Sequence, residues 1–314
     1  MKYPKPKIII SKCLEFDACR YDGQLIANKF IDLLKDFIDF MPICPEVEVG
    51  MGTPRDPIHI EKKDDNYLLP QPKTGNEFSK KINSFSDNFI KNIKQVDGFI
   101  LKHASPSCGI SSAKIYTSNS MVPIGKDHGL FASKIIQKFP NHPKEEEKRL
   151  NNNFLREHFL TSIFTIADFR NVDSVDSLYK YHAKHKYLFM SYNQNLMREM
   201  GRIAANAVES KIDIALKLYY DSLLAIFKKK SRYQSNINTH MHIMGYFKKD
   251  ITSNEKKHFL DILERYREKK VPISSVNSIL SSWIHRFHNE YLMNQSFLQP
   301  FPVELIDSNN SRFF

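Results

Sequence analysis

Four cysteines, ten glycines and one tryptophan are spread over 314 residues. No two of the cysteines form the close Cys-x2-Cys pair of zinc ribbons and fingers, so those folds have no support. A Gly-x-Gly-x-x-Gly fingerprint is also missing, and nothing points to a flavin or nicotinamide. No run reaches the roughly 20 apolar residues that span a bilayer. The opening Met1-Lys2-Tyr3-Pro4-Lys5-Pro6 lacks the apolar stretch of a secretory signal. A soluble, cytoplasmic protein is therefore expected. In that reducing compartment, cysteines serve as ligands, nucleophiles or core thiols rather than as disulfides.

What is present is unevenly distributed. Residues 1–150 hold 8 of the 10 Gly, 12 of the 15 Pro and all 4 Cys, whereas the remainder holds 8 of the 12 His and few turn formers. The first part reads as an α/β parallel sheet with covering helices (Rossmann-like) and the second as an all-α helical domain. The Pro140-Asn141-His142-Pro143 stretch sets the expected boundary, giving domains 1–143 and 144–314. The net charge of +11 permits nucleic-acid or anionic contacts, although a solvated basic surface explains it as well.

Along the chain, residues 8–11 read as a buried strand ahead of Cys13, and Leu25, Phe30, Leu33, Leu34 and Phe37 recur at helical spacing. Residues 60–76 read as a polar surface excursion. A helix is expected from Phe78 to Ile93, a strand over residues 98–101, a short strand over 121–124 and a helix over 129–139. Five or more further helices are expected, with helical spacing over 154–166, 194–208, 212–227, 254–266 and 276–291.

The chemistry lies in the cysteines. Cys13, Cys44 and Cys108 each follow an apolar run, and Cys108 closes the turn Ser105-Pro106-Ser107-Cys108-Gly109. In an open α/β sheet the carboxyl ends of neighbouring strands form the ligand crevice, where three such thiols meet. Thiolates suit iron-sulfur clusters or zinc. From spacing alone, isolated buried thiols remain the commoner state. Lys102, Arg20 and Arg55 read equally as contacts for a pyrimidine or phosphate and as ion-pair partners of Asp22 or Asp56. His182 with His185, His240 with His242 and His285 with His288 read as hydrogen-bonded or surface histidines rather than metal ligands. Lys228-Lys229-Lys230-Ser231-Arg232-Tyr233 reads as a solvated helix end before it reads as a phosphate-binding run.

Residue identities around the thiols carry more. Cys13-Leu14 with Arg20-Tyr21-Asp22-Gly23, then Cys44-Pro45-Glu46 with Gly50 and Pro54-Arg55, then Lys102 with Ser105-Pro106-Ser107-Cys108-Gly109 resemble the signature blocks of the thiouracil desulfurase (TudS) family. The second half resembles the YbgA-type helical domain through the blocks beginning at Tyr181, His240 and Gln295.

The resemblance implies a 4Fe-4S cluster held by Cys13, Cys44 and Cys108 and acting as a Lewis acid. Glu46 and Ser105 match the catalytic carboxylate and hydroxyl. The implied reaction is non-redox hydrolysis of the thiocarbonyl of a thiolated pyrimidine, thiouracil-like, to the oxo form and hydrosulfide. Thiolated nucleotides and RNA remain alternative partners. Phe16, where many relatives have glycine, and the extra thiol Cys19 are departures; Phe16 bears on pocket shape, and Cys19 is read as spare. The contrasting functions are a nucleic-acid or nucleotide-binding protein that recognises thiolated RNA with a structural or sensing cluster, and a zinc site with three cysteine ligands.

Overall fold

The computed structural model describes residues 3–64, 66–118, 120, 122–208 and 211–306. The chain divides into two compact units, Lys5–Phe159 and Leu160–Phe314 with Met1–Pro4.

In the first unit the apolar run before Cys13 forms β1 (Lys7–Ser11), with Ile8, Ile9 and Ile10 buried. Next comes α1 (Lys29–Leu34), started by the Asn28 side chain, which accepts from the N–H groups of Phe30 and Ile31. It is shorter than the spacing of Leu25 to Phe37 suggests, because Ile26 is drawn into a bridge with Leu14. Then follow β2 (Asp39–Ile43) and the single turn α2 (Pro45–Glu48), which has proline at its first position. The stretch expected as a surface excursion is paired: β3 (Ile60–Lys63), β4 (Asn66–Leu68), β5 (Pro70–Gln71) and β6 (Asn76–Glu77).

Helix α3 (Ser79–Lys91) buries Ile82 and Ile90 at the spacing the sequence shows, and β7 (Gly98–Leu101) is wholly buried. After β8 (Ala113–Tyr116), the strand expected over 121–124 lies later, as β9 (Gly125–Asp127). Val122 and Ile124 are exposed, Pro123 has no N–H to offer a ladder, and Met121 lies outside the described residues. The unit continues through α4 (Leu130–Lys138) and β10 (Lys144–Glu146).

The main sheet has the order β10-β7-β1-β2 with every pair parallel. Ile90, Phe131 and Ile135 from α3 and α4 pack against Ile9, Phe99 and Leu101, and Cys108 is buried in the same cluster. A second sheet, β4-β3-β8-β9, is mixed.

The chain then becomes helical: α5 (Asn153–Phe169), α6 (Val175–Tyr192), α7 (Gln194–Ala205), α8 (Ile212–Ile226), α9 (Tyr233–Met244), α10 (Ser253–Arg267), α11 (Ile273–Arg286) and α12 (Glu290–Met293). The single helix expected over 276–291 is two, because His288 adopts φ 49° and Asn289 caps a new turn. No helix of the described residues is long and apolar enough to cross a membrane. The expected order, a parallel sheet with helices and then a helix-rich region, is what the chain adopts.

The block beginning at Tyr181 is the buried face of α6, where Tyr181, His185, Leu188 and Phe189 join the helical core. The histidines there are hydrogen-bonded. His182 Nδ1 is 2.9 Å from the Tyr219 hydroxyl, His185 lies between Asp168 and Ser296, and His240 between Asn236 and Asn277. Burial pushes His182 down to about 4, and Lys186 and His185 act in the same direction. Its ordinary value is 6.5, so the unfolded chain binds the proton first as pH falls. The stability this neutral ring contributes is complete above about pH 6.5 and is lost as pH falls toward 4. The loss at this one site is on the order of 3 kcal/mol. Urea midpoints of the helical region at pH 7 and 4.5 check this: His182→Gln is expected to decline less steeply than the wild type, and parallel declines would refute it.

Candidate active site

β1 lies between β2 and β7, where the strand order turns, and the carboxyl ends of all three open along one edge. Register sets Ser11 beside Ile43 and Ile10 beside Ile100. The contacts run on past the strands, with Lys12 N–H donating to Ile43 O at 2.8 Å and Lys102 N–H to Ser11 Oγ at 2.9 Å. Cys13, Cys44 and the turn after Leu101 therefore leave the sheet side by side. Cys13, Cys44, Cys108, Glu46 and Ser105 all line one cavity of about 460 Å³. Cys19, read as spare, lines it too, whereas Phe16 packs on Phe40 with ring centroids 5.4 Å apart and is not part of the wall.

The turn that carries Cys108 is held from two sides. From within, Ser105 Oγ accepts from Ser107 N–H at 3.2 Å and Cys108 N–H at 3.0 Å. From outside, the start of α4 closes on it: Gly129, Leu130 and Ala132 donate their N–H groups to Gly109 O, Pro106 O and Ser107 O at 2.8, 3.1 and 3.0 Å. The first N–H groups of a helix need such acceptors. The fit leaves no space at Gly129, where an added Cβ would stand 2.5 Å from the carbonyl carbon and oxygen of Ser107.

Glu46 is buried, and both of its oxygens are engaged. Oε2 accepts from Arg55 Nε at 2.9 Å and Nη2 at 2.6 Å, and Oε1 accepts from Ser107 Oγ at 2.9 Å. Arg55 Nη1 also donates to the carbonyls of Cys19 and Gly52, at 3.0 and 2.9 Å. Asp56, one of the two carboxylates read as ion-pair partners for Lys102, Arg20 and Arg55, pairs with Lys73. Arg20 pairs with Asp22, the ion-pair alternative of its two readings, and Lys102 pairs with Glu147 at 2.7 Å. The hydroxyl against Glu46 is that of Ser107, a residue to which the sequence pattern assigned no role; its place directly before Cys108 was the available signal.

Comparison with known proteins places this arrangement. The family model described as 2-thiouracil desulfurase matches residues 8–147, and that of a protein of unknown function, DUF1722, matches residues 186–302. The uncharacterized protein YbbK of Bacillus subtilis (strain 168) is 30% identical over 109 residues, covering 32% of this chain and 72% of YbbK. The chain belongs to the 2-thiouracil desulfurase family. The uncharacterized protein YbgA of Escherichia coli (strain K12) is 20% identical over 127 residues, covering 40% of this chain and 75% of YbgA. Among solved structures, the [4Fe-4S]-dependent thiouracil desulfidase TudS shows 26% identity and a TM-score of 0.37, covering 47% of this chain and 94% of that one.

In this member of the 2-thiouracil desulfurase family the cavity thiols differ in character. Burial pushes Cys13 up to about 12 and raises Cys108 well above the ordinary thiol range. Cys44 Sγ donates to the Cys19 carbonyl at 4.0 Å, and the interaction of the two neighbouring thiols holds Cys44 down and Cys19 up. Four thiols, Cys13, Cys19, Cys44 and Cys108, line the cavity, and soft donors of this kind are what iron-sulfur clusters take. No group of three or more His, Cys, Asp or Glu side chains among the described residues converges as a single ion requires. A cluster places one thiolate on each iron, so its ligands stand apart, and the donors present fit that group.

Proposed function

We propose that the chain is a non-redox desulfidase that hydrolyses the thiocarbonyl of a thiolated pyrimidine such as 2- or 4-thiouracil. Cys13, Cys44 and Cys108 would hold a 4Fe-4S cluster. One observation carries this reading: three thiols from three adjacent parallel strand ends share a cavity with a buried carboxylate, in a chain of the 2-thiouracil desulfurase family. The α/β domain, 1–143 in the sequence reading, is assigned the chemistry, and the helical YbgA-type domain an accessory role.

When bound, the cluster supplies a Lewis acid for the substrate sulfur. The chain's own residues supply the rest. Arg55 and Ser107 fix the Glu46 carboxylate at the cavity wall, where it takes a proton from the water that attacks the thiocarbonyl carbon. The Ser105 hydroxyl lies on the same wall; its oxygen already accepts two N–H bonds, so its proton remains to orient water or the pyrimidine ring. The thiocarbonyl and one water give the carbonyl and hydrogen sulfide, with no electron transferred.

Anaerobic purification, iron and sulfide counts and the loss of near-ultraviolet absorption of 4-thiouracil test the reading. A loaded wild type should turn over. Glu46→Gln should keep its iron and lose about 10²–10⁴-fold in kcat, and Cys108→Ala should lose both iron and turnover. A protein without iron after anaerobic reconstitution refutes the cluster.

A second substrate class has one observation behind it. Lys228, Lys229, Lys230 and Arg232 border a polar recess of about 470 Å³ in the helical region, which suits the phosphates of thiolated nucleotides or RNA. A full cluster that turns over thiolated RNA but not free bases would select it.

A further inference from the structure

The cavity holds one more proton-handling side chain, outside every role assigned so far. His103 lines the wall beside Ser105 and is 30% exposed. Its Nδ1 lies 2.6 Å from Glu146 Oε2, and Glu146 is almost fully buried. The other carboxylate oxygen of Glu146 accepts from Ile110 N–H, Ser111 N–H and Ser112 Oγ at 2.7, 3.2 and 2.6 Å. Those bonds hold Glu146 below the ordinary carboxylate range despite its burial.

The backbone is gripped as firmly. His103 N–H donates to Glu147 Oε2 at 2.6 Å, and Glu147 also binds Lys102 Nζ. Ala104 follows at φ 58°, a left-handed conformation that costs a non-glycine residue energy, and its N–H is tied to Ser112 Oγ at 2.7 Å. These hydrogen bonds and one strained residue thus fix a single imidazole at the cavity.

A carboxylate only accepts, so Nδ1 carries the proton in this pair. Nε2, the other ring nitrogen, has no protein partner among the described residues. It bears a lone pair when the ring is neutral and a donor proton when the ring is charged. Hydrolysis of a thiocarbonyl needs such a group. Glu46 can take a proton from the attacking water at Oε1, which accepts from Ser107 alone and keeps a lone pair, but the sulfur departs carrying charge and needs a donor of its own.

We propose that His103, oriented by Glu146, is the general acid of the reaction and delivers its Nε2 proton to the departing sulfur. The C–O bond forms as water loses a proton to Glu46. As the new hydroxyl gives up its remaining proton to solvent and closes to the carbonyl, the C–S bond breaks, its electron pair stays on sulfur, and sulfur takes the Nε2 proton. Glu46 returns its proton to solvent and His103 recovers one, so protons and electrons balance without a redox partner. The assignment rests on the desulfidase reading above.

The test uses the loaded full-length enzyme. In His103→Gln, kcat on 4-thiouracil should fall about 10²-fold while KM and iron per chain stay at wild-type values. Added imidazole should restore turnover to His103→Ala. Nitrogen-15 histidine spectra of the wild type across pH should show one ring that keeps its Nδ1 proton throughout, with Nε2 protonated in the acid form and bare in the neutral form, and that disappears in His103→Gln. An active wild type beside an equally active His103→Gln overturns the proposal alone, as does an Nε2–H tautomer for this ring or a His103→Ala loss that imidazole leaves untouched. A wild type that is loaded yet turns over no thiolated pyrimidine overturns the desulfidase reading and the proposal with it.

Discussion

Arg55→Ala is expected to destabilise the α/β unit by about 3–5 kcal/mol and to abolish turnover. The Arg55 side chain is 4% exposed and its partner Glu46 11%, so neither charge can recover its hydration where it stands. Truncating the arginine leaves a buried carboxylate with one remaining donor, Ser107, and takes one donor each from the carbonyls of Cys19 and Gly52. The cost comes from the orphaned charge rather than from the value of the pair. Arg55→Met combined with Glu46→Gln, which removes both charges, should therefore recover most of the lost stability while remaining inactive. Urea unfolding of the wild type, both single variants and the double variant measures this. An unchanged midpoint in Arg55→Ala would mean that water reaches the pair.

Gly129→Ala should cost about 3 kcal/mol or more, although it adds one methyl group far in sequence from every cavity thiol. The Cβ would stand 2.5 Å from the carbonyl carbon and oxygen of Ser107 and 2.9 Å from Cys108 N. All three are backbone atoms of a turn already bonded to α4, so no side chain can swing aside. The helix must withdraw, and Cys108 loses its support. Faster alkylation of Cys108 by iodoacetamide, alongside a lower urea midpoint, is the expected signature. Gly201→Ala provides the contrast: its nearest neighbour is the ring nitrogen of His182 at 3.1 Å, a side chain that can give by a few tenths of an ångström. Equal losses in the two variants would refute the argument from backbone overlap.

These two residues mark where sequence reading stops. Triple isoleucine before Cys13 and the apolar run before Lys102 are local signals of buried parallel strands, and the turn chemistry at each end places the thiols at the sheet edge. Whether Arg55 meets Asp56 or Glu46 is different in kind. Both carboxylates are near in sequence, and only the path of the backbone beyond α2 decides between them. Glu146 and Glu147 sit in an acidic run with no local mark of a role, yet they tie down a turn more than 30 residues earlier because β10 pairs with β7. Ser107 against Glu46 spans 61 residues. No periodicity or spacing encodes a pair of that separation, and Gly129 carries no side chain through which to announce its contact.

The placement of β1 between β2 and β7 also bears on the order of events during maturation. The walls of the cavity come from chain segments 31 and 64 residues apart, and only parallel pairing brings them together. Parallel pairing is non-local and slow to form. A zinc finger collapses around its metal, because its ligands lie close in sequence and the ion drives folding. Here the thiols become neighbours only after the sheet exists. A cluster held there as proposed would have to be delivered to a finished fold through the open edge, and the protein without it should stand as a folded intermediate.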